Sequence, residues 1–168
     1  MKKMVLSILV QNTAGVLSRV SGLFARRGYN IDSLIVSETE SEGFSRMTIV
    51  CRGEDAVLEQ IRKQLSKLVD VKDIIELEPK TSVCRELVLC KIAVESEKRQ
   101  QILSIAEIFR AKVVDVTENA MMIELTGNKQ KLDAFLDLLN GFEIMELVRT
   151  GVTGLTRGYG DMLSGELD

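Results

Sequence analysis

The chain has 168 residues, of which 45% are hydrophobic and only 4% aromatic, with no tryptophan, so its core has to be built from Ile, Leu, Val and Met. Charged residues make up 28% but balance to a net charge of -3, which leaves no electrostatic footprint for nucleic acid or an anionic membrane. Histidine is absent, and Cys51, Cys84 and Cys90 have no C-x-x-C spacing, which excludes Ser-His-Asp and Cys-His catalysis and Cys/His zinc sites. The cysteines read as reduced, interior thiols.

The first residues, MKKMVLSILVQN, open like a signal peptide with two lysines and an apolar run. The run Met4–Val10 is short, Ser7 interrupts it, and no small-residue cleavage site follows. A first strand in a cytoplasmic protein is the reading, and no stretch approaches the roughly 20 apolar residues of a membrane-spanning helix. Met4, Leu6, Ile8 and Val10 alternate with Val5, Ser7 and Leu9, which predicts a central strand with two apolar faces. Gln11-Asn12-Thr13-Ala14-Gly15 has turn composition. Val16, Leu17, Val20, Leu23 and Phe24 then follow at helical spacing, and Gly28 stops the helix after Arg26-Arg27.

A second strand is predicted from about Asn30 to Glu38, a hairpin connection over Thr39–Gly43, and a third strand with Met47, Ile49 and Cys51 on one face. Val57, Leu58, Ile61, Leu65 and Leu68 mark a second helix, and Val71–Leu77 a fourth strand. The order βαββαβ is the ferredoxin-like arrangement. Pro79 sits in a predicted linker, 79–83, and the pattern then restarts: strand Leu87–Val94, a helix through Ile102, Ile105, Ala106 and Phe109, strands Val113–Thr117 and Met121–Thr126, a helix through Leu132, Phe135, Leu136 and Leu139, and strand Ile144–Val148. Met47–Leu65 (MTIVCRGEDAVLEQIRKQL) and Met121–Leu139 (MMIELTGNKQKLDAFLDLL) keep strand, glycine and helix face in step, so the chain reads as a duplication. The expected class is α+β, with domains at 1–78 and 84–151 and a glycine-rich tail, 152–168, without periodic pattern. Domains of about 80 residues bury little core apiece and are expected to pack on each other or on a partner chain.

No phosphate-binding glycine motif follows a strand. Glu38, Glu40 and Glu42 fall on a hairpin tip and read as solvated charge. The loop Asn12–Gly15 is the informative one. A helix start leaves backbone N–H groups open and favours negative charge, and Gly15 lets a ligand or a neighbouring chain approach the backbone. Asn12 can donate to a carboxylate or accept from an ammonium group. Val16, Leu17 and Ile31 suit a short aliphatic side chain, and Asn30 offers a second polar contact. Ordinary helix capping explains the same residues without any ligand. The equivalent loop of the second repeat, Glu95-Ser96-Glu97-Lys98, lacks Asn and Gly and would repel a carboxylate, which confines any such site to the first repeat.

Taken together, Asn12-Thr13-Ala14-Gly15-Val16-Leu17, Arg27-Gly28-Tyr29-Asn30-Ile31-Asp32-Ser33-Leu34 and Ser45–Val50, then Arg85-Glu86-Leu87, Glu107–Val116 and Arg149-Thr150-Gly151, resemble the small, regulatory subunits of acetolactate synthase (acetohydroxyacid synthase) over essentially the whole length. The N-terminal domain resembles an ACT domain, a small-molecule sensor of amino-acid metabolism. The resemblance implies a non-catalytic subunit without a cofactor of its own. Its partner would be a large catalytic subunit carrying thiamine diphosphate, magnesium and FAD, which the small subunit stimulates and places under feedback inhibition by valine or another branched-chain amino acid. It also implies a homodimer through the ACT domain, with Asn12, Ala14, Gly15, Val16 and Leu17 of one chain opposite Asn30 and Ile31 of the other. No role transfers beyond Arg157. A free-standing amino-acid sensor acting on some other partner is the alternative reading of the same residues.

Overall fold

A computed structural model describes residues 1–159. The chain divides into two compact units, one comprising 1–84 together with the returning segment that starts at Val152, the other Arg85–Gly151. Each unit is an antiparallel sheet with two helices, and the elements run βαββαβ twice, so the expected α+β class and tandem ferredoxin-like arrangement hold.

Unit 1 contains β1 (Lys2–Gln11), α1 (Val16–Arg26), β2 (Ile31–Glu38), β3 (Phe44–Gly53), α2 (Asp55–Ser66) and β4 (Val71–Glu76), with strand order β2-β3-β1-β4. The period-two alternation of β1 places Met4, Leu6, Ile8 and Val10 on one face. Across from it, Cys51, Ile49 and Met47 pair with Met4, Leu6 and Ile8. The helices cover this face with Val16, Val20, Leu23 and Phe24 of α1 and Leu58, Ile61 and Leu65 of α2, all buried. Burial pushes the Cys51 thiol up to about 11, with Asp32 and Glu76 adding to the effect, so it is an inert core group at neutral pH.

Unit 2 contains most of β5 (Ser82–Ala93), then α3 (Arg99–Phe109), β6 (Lys112–Val116), β7 (Ala120–Gly127), α4 (Lys129–Leu138) and β8 (Glu143–Arg149), with order β6-β7-β5-β8. Val88, Cys90 and Ile92 pair with Leu125, Ile123 and Met121 beneath Ile102, Ala106, Leu132 and Phe135. Phe109 and Phe135 meet edge to face with centroids 5.5 Å apart. Asn128 caps α4 by accepting from Lys131 N at 2.9 Å. At the far end of β8, Arg149 Nε and Nη2 both donate to the Glu86 carboxylate at 2.9 Å.

The end strands share a further detail. Register breaks leave Asp32 in β2, Lys72 in β4, Val114 in β6 and Met145 in β8 without a ladder partner. Bulges of this kind twist an exposed edge away from continuous pairing.

Two boundaries differ from expectation. The predicted linker 79–83 is a turn only as far as Thr81, because Ser82 and Val83 already belong to β5. The predicted patternless tail instead contains β9 (Thr153–Thr156), which pairs with the beginning of β5. Arg157 N donates to Thr81 O at 2.7 Å, and Val152 N to Ser33 Oγ at 3.2 Å. Gly154 is what admits this strand: a Cβ there would lie 2.6 Å from Val83 O and 2.8 Å from Cys84 Sγ. The rest of the expected tail, 160–168, lies outside the described residues. Among the described residues no helix is long and apolar enough to cross a membrane.

Candidate functional site

The loop between β1 and α1 is held at three points. Gln11 N donates to Asp70 O at 2.9 Å, Asn12 N donates to Gly43 O at 2.8 Å, and Arg19 N donates to Gly15 O at 2.9 Å. Gly15 is the residue before the helix, in the left-handed region with φ of 87°. A side chain there would be strained by roughly 1–2 kcal/mol. No side chain caps α1, so the capping explanation for Asn12 and Thr13 does not apply. Val16 N reaches Thr13 O at 3.4 Å, whereas among the described residues the amides of Leu17 and Ser18 have no acceptor. They form an open helix start of the type that receives an anion.

The side chains around this start separate into two kinds. Asn12, Thr13, Ala14 and Gly15 are exposed, and Leu17 is 48% exposed. Val16, expected to wall a pocket, points instead into the core at 3% exposure, because it shares the buried stripe of Val20, Leu23 and Phe24. Arg19 was missed by sequence reasoning. One turn into α1, its Nε and Nη2 donate to the two oxygens of Asp70 at 2.6 and 3.0 Å. The hydrogen bonds from Arg19 hold the Asp70 carboxyl below its usual range, against the opposing effect of burial.

Asn30 and Ile31 lie elsewhere in the same chain. Ile31 pairs with Cys51, which pairs with Met4, near the beginning of β1. From Met4 to Gln11 the strand runs roughly 23 Å at ~3.3 Å per residue. A single chain therefore does not bring Asn30 and Ile31 to the Asn12 loop. Asn30 Nδ2 donates to Asp32 Oδ1 at 2.9 Å, and Asp32 pairs with Arg52 at 2.7 Å, which fixes the orientation of the amide.

The corresponding start in unit 2 is built differently. A 3-10 turn over Ser96–Lys98 precedes α3, and Glu95, Ser96, Glu97 and Lys98 are all exposed. Arg99 Nη2 donates to the carbonyls of Thr117 and Glu118, tying the helix start to the β6–β7 hairpin. Glu38, Glu40 and Glu42 are exposed, and among the described residues no three acidic or thiol groups gather as metal ligands.

Tandem ferredoxin-like units with an open, glycine-bearing helix start in the first define the class of ACT-domain chains. Residues 6–73 match the family model of the acetolactate synthase (AHAS) small subunit-like ACT domain, and residues 85–158 match that of the small subunit of acetolactate synthase. A probable acetolactate synthase small subunit from Methanothermobacter thermautotrophicus is 50% identical over 155 residues, covering 92% of each chain. The acetolactate synthase small subunit of Mycolicibacterium smegmatis is 50% identical over 153 residues, covering 91% of this chain and 90% of that one. The crystal structure of the acetolactate synthase small subunit from Thermotoga maritima superimposes with a TM-score of 0.87 at 40% identity, over 95% of this chain and 99% of that one. The chain belongs to the acetolactate synthase small-subunit family.

Proposed function

We propose that the chain is the regulatory, non-catalytic subunit of a cytoplasmic acetolactate synthase. In this reading it binds a large catalytic subunit that carries thiamine diphosphate, magnesium and FAD, and it raises that subunit's activity. It holds no cofactor itself and confers feedback inhibition by a branched-chain amino acid, with valine the leading candidate. The effector lies between Asn12, Ala14, Gly15 and Leu17 of one chain and Asn30 and Ile31 of a second copy. Val16 supports that wall from the core side.

The strand register carries this reading. β2 is an end strand, and Glu38, its last residue, pairs with Ser45, which pairs with Val10 at the Asn12 end of the sheet. A second copy running antiparallel along β2 therefore delivers its own Asn30 and Ile31 to the end where the first copy has its open helix start. The bulge at Asp32 falls at the start of the strand and leaves Ser33–Glu38 in unbroken register. The effector's carboxylate meets the free amides of Leu17 and Ser18, its ammonium group meets the Asn12 and Asn30 amides, and its side chain meets Leu17 and Ile31. Differential binding to active and inhibited forms of the assembly of about 1–3 kcal/mol suffices for the coupling.

Calorimetric titration of the full chain with L-valine, L-leucine and L-isoleucine tests the site, and reconstitution with the catalytic subunit tests the role. Saturable binding of at least one of the three is expected, with no turnover of pyruvate by the isolated chain and turnover that rises on mixing and falls with the bound amino acid. Heat-silent titrations for all three, or pyruvate turnover by the isolated chain, would refute the reading.

A further inference from the structure

Arg19 does more than brace the fold. Its guanidinium lies over the face of Gly15: a Cβ on that glycine would sit 2.8 Å from Nη1 and 3.6 Å from Cζ. Asp70 occupies Nε and Nη2 in a two-point contact, which fixes the plane of the group. Nη1 is left over, and among the described residues it has no hydrogen-bond acceptor. The Arg19 side chain is 47% exposed and that of Asp70 only 7%, so the pair presents its cationic side outward beside the loop. The free nitrogen thus stands at the open helix start, in the space that any residue other than glycine would fill.

We infer that Arg19 is a ligand-binding residue of this site, with Nη1 donating to the effector's carboxylate while Asp70 holds the guanidinium in place. The inference rests on the effector reading given above and names the group that recognises the acid end of the ligand. A braced guanidinium suits a zwitterion, because Asp70 balances the charge of Arg19 and leaves a directed donor rather than an excess cation that would repel the ammonium group. The second repeat argues the same way. Superposing the apolar stripe Val20, Leu23, Phe24 on Ile102, Ile105, Ala106 puts Glu97 opposite Gly15 and Gln101 opposite Arg19. The repeat without the open glycine start is also without the arginine.

The test compares L-valine with L-valinamide, which keeps the ammonium group and side chain but has no carboxylate, by calorimetry on the full chain. The wild type is expected to bind valine at least about tenfold more tightly than the amide, which is the discrimination a charge-assisted contact supplies. Arg19→Met should weaken valine about tenfold and leave valinamide within about twofold, which narrows the gap to what the Leu17 and Ser18 amides supply. Arg19→Lys should restore part of the discrimination, and it replaces Arg19→Met if that variant does not fold. Undiminished preference for valine over its amide in the variants overturns the inference while leaving the effector site in place. A parallel loss of both ligands also overturns it, since that is what a purely structural brace would give. A wild type that binds none of the branched-chain amino acids refutes the effector reading itself.

Discussion

The two units share a βαββαβ order and a similar inventory of buried Ile, Leu, Val and Met, yet their first helices begin in opposite ways. In unit 1 the chain enters α1 through Gly15 at φ of 87°, with the Arg19 guanidinium over that glycine. In unit 2 a 3-10 turn winds into α3, and Arg99 fastens that start to a neighbouring hairpin. The packed faces were retained after duplication because each sheet needs its helices. The loop carries no packing duty, so one copy could keep a glycine turn beside Arg19 while the other came to be tied to a neighbouring hairpin through Arg99.

The comparison can be broken or sharpened by a graded set of changes. Phe135→Ala empties the centre of the second core and should cost about 3–5 kcal/mol, read from denaturant unfolding. Amino-acid binding by the loop of unit 1 should survive it under folding conditions, and loss of binding would mean the site is not confined there. Gly15→Asp forces a side chain into a left-handed position against Arg19 and adds negative charge to the open helix start. Effector affinity should fall by about a hundredfold, or ~2.7 kcal/mol, and inhibition should vanish while stimulation of the catalytic subunit persists. Unchanged sensitivity to valine would remove the loop from the site.

Asn12→Ala deletes an exposed amide that, among the described residues, makes no side-chain contact of its own. It should weaken binding about tenfold with the melting temperature unmoved, because the exposed amide braces nothing in the fold. Acid should act on unit 1 through Asp70. Its folded-state pKa is lowered by Arg19, so the pair's contribution is fully present above the ordinary Asp value of about 3.9 and is lost as pH falls through the lower folded value. A urea-midpoint series below pH 4 should show that loss in the wild type and a flatter dependence in Asp70→Asn. Glu97→Gly, which gives the second repeat a glycine but no arginine at the position matching Arg19, should change effector affinity by less than about twofold.

Much of this was legible from residue order alone. The alternation in β1, the stripe of α1 and the parallel segments beginning at Met47 and Met121 specify elements, faces and duplication, because period two and period 3.6 each bury one face. Val16 was misplaced although its signal was present: the periodicity that predicts the helix also turns Val16 inward with Val20. The Arg19–Asp70 pair was not legible, since the partners are 51 residues apart and meet only after α2 packs and β4 joins the sheet. The strand β9 was hidden because Gly154 lowers its strand propensity, while the same glycine is what lets it lie against Val83. The distance between Asn12 and Asn30 within one chain follows from the strand register, while their expected placement on two chains rests on the family resemblance and not on periodicity.

The strand at Thr153–Thr156 also bears on the order in which the chain is made. Unit 1 owns residues on both sides of unit 2, so a ribosome that has released the first 84 residues has not yet supplied all of it. The N-terminal sheet can form early, but β5 waits for its β9 partner until the whole second unit has emerged. Synthesis at ~5–20 residues per second sets that wait at several seconds. Completion of unit 1 thereby waits on synthesis through Thr156, and a chain truncated before Thr153 would carry the Asn12–Gly15 loop on a unit without its β9.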